Sequence, residues 1–526
     1  MHLGAPAHAE NTPVAVADNT SLPLASASAS AAPPATTLSP PGADTLRKCE
    51  LSKLFFLDHY FDLLTYLDAR KARLAAFKRD MAARTPPPSS GADVLATFEQ
   101  EQEAAWRYFC GKERAHLRKR RTRLRLSNFE LVRQIGQGGY GQVFLARKRD
   151  TDEWCAVKKM NKHLLHRLHE VQHILTERDI LTRVGSPWLV KLLYAFQDME
   201  SVYLAMEYVP GGDMRTLLNN SGVLRQEHAR LYVAEMLTAA DQIHRLGYIH
   251  RDIKPENFLI DASGHLKLTD FGLSRGKLCA EEIAYLQARL ETARQAPLVH
   301  RTVKERWQIY QSIQREEVRA FSLVGSPDYM APEVLQDVGG RGYDHAVDYW
   351  SVGCILFECL AGFPPFAAAS SDEVWRNVYH WETVLERPVY TGADAEFNFT
   401  DEAWDLVTRL LCHAPQRLAK LADVKPHAFF SGLPAQWEQL RADATNPLSR
   451  GVTPPFVPRV ADPRDTRYFD NFEDPKDMAM YKEVHARQAA HKEKEGASAS
   501  DGTPGAPRSA FIGFTFKHSG ARSGSI

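Results

Sequence analysis

The sequence predicts an α+β protein in which a small sheet-rich half precedes a larger helical half. Two patterns carry this expectation. Residues 129–205 hold short β-like runs around one long helical run, and residues 213 to about 430 are mostly helical. A third observation sets the scale. The 526 residues, 44% apolar and 25% charged, have ordinary globular composition with room for several domains. The 65 basic residues balance 65 acidic ones, which excludes a wholly basic nucleic-acid coat and a wholly acidic disordered tail.

The elements follow in chain order. Residues 1–45 are rich in Ala, Ser, Pro and Thr and are expected to be disordered, because they cannot bury enough apolar surface to offset ordering entropy. Residues 46–128 form a helical, basic region. Leu57, Phe61, Leu64, Leu67, Leu74 and Phe77 recur at helical spacing, up to the breaker Thr85-Pro-Pro-Pro-Ser-Ser-Gly. A second helix starts near Ala92 and becomes strongly basic at residues 118–125. Residues 129–430 form the main domain. Phe129–Ile135, Gln142–Lys148, Trp154–Met160, Leu189–Phe196 and Val202–Met206 read as strands, and Leu164–Arg183 as one helix. Residues 275–319 are an insert with a net charge of +3, from 9 basic and 6 acidic residues. Residues 431–526 form a tail with a polar linker at 485–508 and an apolar patch at 511–516.

Seven cysteines without a C-x-x-C pair argue against a disulfide scaffold or structural zinc and fit a reducing compartment. No run of about 18 apolar residues is present, so no membrane span is expected. Tyr349–Phe366 comes nearest, but Glu358 and Gly-Phe-Pro-Pro make it a buried helix ending in a turn. A secretory leader is not expected at the N-terminus.

Gly136-Gln-Gly-Gly-Tyr-Gly-Gln-Val143 lies between two predicted strands. Gly136, Gly138 and Gly141 would let backbone amides approach phosphate oxygens. A dinucleotide-binding turn or a plain hairpin would look similar. Lys158 follows Gly141 by 17 residues at a strand end, and Glu177 lies 19 further on, in the predicted helix. The two would pair and hold the α- and β-phosphates of ATP, unless they are unrelated surface charges. His250-Arg-Asp-Ile-Lys-Pro-Glu-Asn257 decides between these readings. Asp270-Phe-Gly272 comes 13 residues after it, and Ala331-Pro-Glu333 closes the segment. Asp252 can accept a hydroxyl proton, Lys254 can steady the moving phosphoryl, and Asn257 and Asp270 are hard oxygen ligands suited to Mg²⁺.

Five signatures in this order resemble the protein kinase superfamily across residues 129–430, and therefore its bilobal fold. Lys254 and Gly325-Ser-Pro-Asp-Tyr-Met resemble Ser/Thr kinases rather than tyrosine kinases. The resemblance implies that Ile135, Val143, Glu207 and Asp213 line the ATP site and that Met206 is the gatekeeper. It also implies that Asp348 orders the catalytic loop and that Arg417 pairs with Glu333. Thr453-Pro-Pro-Phe-Val-Pro and Asp465-Thr-Arg-Tyr-Phe-Asp-Asn-Phe resemble the AGC tail, and Phe511–Phe516 its hydrophobic motif. The alternative for Phe511, Phe514 and Phe516 is a sticky C-terminal strand. The insert and the basic arm resemble the NDR/LATS group, and the helix at 51–77 its fungal mitotic-exit and septation kinases.

That resemblance implies further roles. Ser322 and Thr515 would be phosphorylated, with an upstream activating kinase among the partners. Arg251 and His173 would receive the Ser322 phosphate. Asp213, Glu256 and Glu358 would bind upstream arginines of protein substrates, ordinary surface charges being the alternative. The partner would be a Mob-family coactivator, buried against Phe61, Leu64 and Trp106 and steered by Arg118, Arg120, Arg121 and Arg123. The alternative is that the arms pack on their own domain. The arginine run could bind nucleic acid, but it lacks interleaved aromatics, so none is expected. The implied location is cytoplasmic, at the spindle pole and division site, with nuclear access. A rival reading keeps the fold but makes the protein a catalytically weak, Mob-bound scaffold; a measured phosphotransfer rate discriminates.

Overall fold

The computed structural model describes residues 43–86, 91–121, 124–138, 141–168, 170–183, 185–274, 288, 291–315, 327–336, 343–441, 451–472, 474, 508–511 and 514–517. Its contacts divide the chain into Met1–Lys53 and Leu54–Ile526. Of the first unit only the opening of helix α1 (Ala43–Arg84) is described. Three residues of the expected disordered tail thus belong to a helix, and the rest of 1–45 lies outside the described residues. So does the linker, apart from Arg508.

The breaker at residue 85 ends α1, and α2 (Ala92–Arg121) follows. Arg73 and Phe77 sit one turn apart on α1, as Phe109 and Glu113 do on α2, so each helix offers one apolar and one charged contact on a single face. The rings of Phe77 and Phe109 stack at 4.8 Å, with Trp106 beside both. Arg73 donates to both oxygens of buried Glu113, at 2.6 and 3.1 Å. Leu57, Phe61, Leu64 and Trp106 remain exposed.

Leu124 and Leu126 join the arm to the small lobe by packing on Phe129, Phe196 and Tyr203. The lobe is an antiparallel sheet of β1 (Phe129–Gln137), β2 (Gly141–Lys148), β3 (Trp154–Asn161), β4 (Leu192–Gln197) and β5 (Ser201–Glu207). The C-terminal β8 (Phe516–Lys517) completes it, in the order β1-β2-β3-β5-β4-β8. Each expected strand is present within a few residues.

The expected helix Leu164–Arg183 is instead two, α3 (Lys162–Arg167) and α4 (Val171–Arg183). Asn161 caps α3 by accepting from the amides of His163 and Leu164. α3 buries Leu165, whereas α4 turns Ile174, Glu177 and Ile180 inward, so the two helices serve different neighbours. No Gly or Pro marks the break, which is why periodicity runs through it.

The large lobe contains α5 (Met214–Ser221), α6 (Gln226–Arg245), the β6–β7 hairpin (Phe258–Ile260, Leu266–Leu268) and α7 (Val303–Arg315), which comes from the insert. α8 (Ala346–Ala361) and α9 (Ser371–Tyr379) follow. Every residue of α8 is buried, as expected of a helix that is apolar all round. No described helix is long and apolar enough to cross a membrane. The tail crosses both lobes. A side chain at Gly264 (φ 89°) would put its Cβ 2.2 Å from the Phe456 carbonyl oxygen, so only glycine lets the tail lie this close.

Candidate active site

The site lies where the β1–β2 turn, the β3 lysine and the loops around β6–β7 converge. Gly136 pairs with Val143 across the hairpin, and the Gly138 amide donates to the Gly141 carbonyl at 2.9 Å. A Cβ on Gly141 would fall 2.1 Å from the Lys159 carbonyl oxygen, so this turn also requires glycine. Ile135 is buried with Leu145 and Ala156, and Val143 packs against them. Phe469 of the tail joins this cluster, a wall residue that no local motif singles out.

Lys158 donates to Glu177 Oε1 and Oε2 at 2.9 and 3.1 Å and reaches Asp270 Oδ1 at 3.4 Å. β3 supplies the lysine, α4 the buried glutamate, and the loop after β7 the aspartate. Burial opposes the Lys158 charge, but Asp270 and Glu177 outweigh it and hold the ammonium's pKa above its usual value. Lys158 in turn holds the Asp270 carboxyl below the usual carboxylate range. Asp270 sits at φ 60°, a left-handed conformation that is costly for a residue with a side chain and aims its carboxylate at the lysine.

Asp252 Oδ2 accepts from Lys254 Nζ at 2.7 Å and from Asn257 Nδ2 at 3.1 Å. Neither contact uses Oδ1, which faces the role of accepting from a hydroxyl. The Asn257 amide nitrogen also holds the Asp252 carbonyl at 2.7 Å, which turns its own side-chain oxygen to other work. Asn257 and Asp270 together offer one amide oxygen and one carboxylate. That is a sparse hard-oxygen set, suited to a divalent ion whose remaining ligands are phosphates and water.

The loop carrying these groups is pinned from below. Asp348 of α8, fully buried, accepts from the amides of His250 and Arg251, both at 2.8 Å, and from His244 Nε2 at 2.7 Å. Burial would raise its pKa, but the His244 bond and charge outweigh that and hold it below the usual range. Arg417 forks onto Glu333 and also donates to the carbonyls of Ala346 and Cys412. Met206, the expected gatekeeper, is buried on β5. The Glu207 carboxylate turns away to the Lys191 amide and Lys267, so any part it takes in the nucleotide site is through its backbone.

The expected arginine-binding carboxylates are not alike. Asp213 caps α5 by accepting from the Thr216 amide at 2.7 Å, and burial pushes its pKa up to about 6. Glu256 and Glu358 are turned onto the chain's own Arg215. Its Nε donates to Glu256 at 2.9 Å and its Nη1 to Glu358 at 2.5 Å. Tyr329 and Tyr310 donate to the same Glu358 at 2.6 and 2.9 Å, and Tyr310 comes from insert helix α7. Both glutamates, expected to face upstream arginines of a substrate, are engaged by this arginine of the chain itself. Arg215 sits in no catalytic motif and was missed.

Ser322, Arg123 and the side chains of Arg118, Arg120 and Arg121 lie outside the described residues. His173, on α4, contacts Glu170 at 2.5 Å, and the Arg251 guanidinium lies 5.2 Å from the Tyr343 ring centre. Thr515 is half-buried beside Phe514. Phe511 and Phe514 are fully buried, each contributing about 1.5–3 kcal/mol of apolar burial. Their seat is built from Lys162 over Phe511, Arg178 over Phe514, and Gln197, whose Nε2 donates to the Phe511 carbonyl at 2.7 Å. Sequence reasoning located the motif but not these three receivers.

Comparison with known proteins agrees with this geometry. The protein kinase domain family matches residues 129–286 and 309–430, the interruption falling inside the insert, and the protein kinase C terminal domain matches 460–516. The chain is 47% identical to the serine/threonine-protein kinase sid2 of Schizosaccharomyces pombe, over 90% of this chain and 73% of that one. It is 43% identical to the cell cycle protein kinase DBF2 of Saccharomyces cerevisiae, over 91% and 80%. With the serine/threonine-protein kinase CBK1 of the same yeast it shares 37% identity over 77% of this chain and 54% of that one.

Proposed function

This chain belongs to the protein kinase family, as a serine/threonine kinase of the NDR/LATS group, and from that premise we propose that it phosphorylates protein substrates from Mg-ATP to control cell division. The observation that carries the chemistry is the assembled set Lys158–Glu177–Asp270 facing Asp252–Lys254–Asn257. ATP would supply the phosphoryl group, and Asp270 and Asn257 would hold the Mg²⁺ that neutralises its charge. Lys158 positions the α- and β-phosphates. Asp252 orients the Ser or Thr hydroxyl through Oδ1 and accepts its proton as the hydroxyl oxygen bonds to the γ-phosphorus, whose bond to the β–γ bridging oxygen breaks to release ADP. Lys254, kept charged by Asp252 despite burial, offsets negative charge between the two oxygens.

Regulation in this reading uses the arms and the tail. A Mob-family coactivator docks on α1 and α2 through Phe61, Leu64, Trp106 and the arginines at 118–123. An upstream kinase phosphorylates Thr515, and phosphate on Ser322 is received by Arg251 and His173. The place of action is the cytoplasm, spindle pole and division site, as for a kinase of mitotic exit and septation.

Two measurements test this. Purified Asp252→Asn should lose about 10²–10⁴ of its phosphotransfer rate, the span a general base contributes; a near-normal rate sinks the mechanism. A fragment starting at Leu126 should fail to bind a Mob protein in titration. Binding as tight as that of the full chain would remove the arms from the partner site.

A further inference from the structure

Helix α5 buries an arginine among apolar neighbours. Met214, Leu217 and Leu218 turn inward together with Arg215, which is 7% exposed. A guanidinium cannot shed its proton in a protein, so its burial must be answered by counter-charge. The answer comes from separate parts of the chain. Glu256 lies in the catalytic loop, between Lys254 and Asn257, and Glu358 lies on α8. Tyr310 of insert helix α7 stands 3.2 Å from Nη1 of the same arginine. Of the two carboxylates on α8, Asp348 holds the catalytic loop. Glu358 meets only Arg215 and the hydroxyls of Tyr310 and Tyr329 among the described residues.

Two carboxylates converging on one planar fork are the chemistry by which proteins recognise arginine. Burial opposes the charge of Arg215, but Glu256 and Glu358 outweigh it and keep its pKa well above the ordinary value. Burial would raise the Glu256 pKa, but Arg215, aided by Lys254, outweighs it and holds that carboxyl below its usual range. The Glu256 side chain is 31% exposed and that of Glu358 2%, so solvent reaches one of the pair. An arginine arriving from outside would meet Glu256 alone, with the like charge of Arg215 already on it. It would also have to give up its own freedom, whereas Arg215 is fixed by folding.

We propose, on the basis of the phosphotransfer reading above, that Arg215 is a specificity-determining residue: it occupies an arginine-recognition site from within, so that Glu256 and Glu358 give no reward to an arginine on the substrate. Tyr310 reinforces the occupation, since its hydroxyl donates to Glu358 at 2.9 Å from the insert side. Asp213, two residues before Arg215, is in a different position. It is half-buried, accepts from the Thr216 amide at 2.7 Å and makes no ion pair among the described residues. Of the three carboxylates it is the one left to read a basic residue. The preferred substrate therefore carries a single arginine upstream of its Ser or Thr, and a second one brings no gain.

The full-length protein is assayed with Mg-ATP on serine peptides. The parent has alanine throughout its upstream half, and each derivative carries arginine at one upstream position in turn. The readout is kcat/KM for each derivative relative to the parent, so a general loss of activity cancels. The wild type should reward arginine at one position at most. Arg215→Ala removes the internal guanidinium and leaves its space, and should reward arginine at a further position by about tenfold or more, the worth of one charge-assisted hydrogen bond. Adding Glu256→Gln should abolish that gain. Arg215→Lys keeps the charge but cannot fork onto both glutamates, and should gain severalfold at the same position. If Arg215 only staples the three elements together, Arg215→Ala lowers the denaturation midpoint and leaves the profile unchanged, which overturns the proposal. A wild type that already rewards arginine at several positions overturns it too. If Arg215→Ala fails to fold, Arg215→Lys decides alone, and an unchanged profile there overturns it. Failure of the wild type to phosphorylate any peptide or protein would instead remove the phosphotransfer reading, and this proposal with it.

Discussion

Two cation–carboxylate clusters in this kinase are built to opposite ends. Around Lys158, two carboxylates converge on one ammonium, and a neighbouring aspartate keeps an oxygen in reserve, so the cluster is poised to take up phosphates, a metal and a hydroxyl. Around Arg215, the guanidinium, two glutamates and two tyrosine hydroxyls answer one another. The first cluster is unfinished without its ligands. In the second, the chain itself supplies the counter-charge. The count of acidic side chains therefore says nothing about availability; what matters is whether the chain itself brings the counter-charge.

The largest effect expected from this contrast is at Lys158. Lys158→Met strands Glu177 and leaves the phosphates unheld, and kcat/KM should fall by about 10³-fold, as when one preorganised donor is removed from a reacting oxygen. A steady-state assay showing a loss below tenfold would mean that the cluster is not unfinished in the sense argued.

Breaking the closed cluster comes next. Arg215→Met should cost about 3–5 kcal/mol by leaving buried glutamate charge unpaired, read as a lower denaturation midpoint. Adding Glu358→Gln should recover part of it. On a peptide array, the single variant should gain preference for arginine upstream of the target residue, because Glu256 and Glu358 are released. An unchanged array profile would show that these glutamates are closed to substrate for another reason.

The smallest effect is expected at Asp213. Burial raises its pKa to about 6, against about 3.9 in an unfolded chain. The fold thus favours the neutral acid: stability is full below about pH 4 and declines as pH rises through 6. Asp213→Asn keeps a cap for Thr216 and removes the decline. It should be more stable than the wild type at pH 7.5 by about 1–2 kcal/mol, allowing for screening, with the gap closing by pH 4. In the wild type, arginine selectivity carried by Asp213 should fade as pH drops below 6. A pH-independent stability difference between the two proteins would contradict the raised pKa.

The catalytic half of this comparison was legible in the sequence because its residues lie in short segments whose spacing is set by strand, loop and metal geometry. Lys158, Glu177, Asp252, Asn257 and Asp270 meet as expected, and Asp348 and Arg417 support them as expected. The other half was not legible. Arg215 meets Glu358 across 143 positions and Tyr310 across 95, and no local pattern announces such a pairing. Lys162, Arg178 and Gln197 were hidden for the same reason: each reads as an ordinary surface residue until the tail returns to lie on it. The break between α3 and α4 was missed because an apolar period reports burial, not a change in helix direction. The aim of insert helix α7 into the Arg215 cluster likewise depends on the path of the chain.

The tail's last described strand has a consequence for solubility. Without β8, β4 is the edge of the sheet, and Tyr194 and Ala195 lose their partners Lys517 and Phe516. An unpaired edge carrying leucine and aromatic side chains is a template for another chain. The docked tail closes this edge with a strand of two residues, one of them a lysine, a length and charge poorly suited to recruiting a further strand. Undocking it would both empty the Phe511 and Phe514 seat and open a sticky border. Molecules with the tail displaced should therefore self-associate at concentrations where docked ones stay dispersed, so keeping the tail seated guards against aggregation.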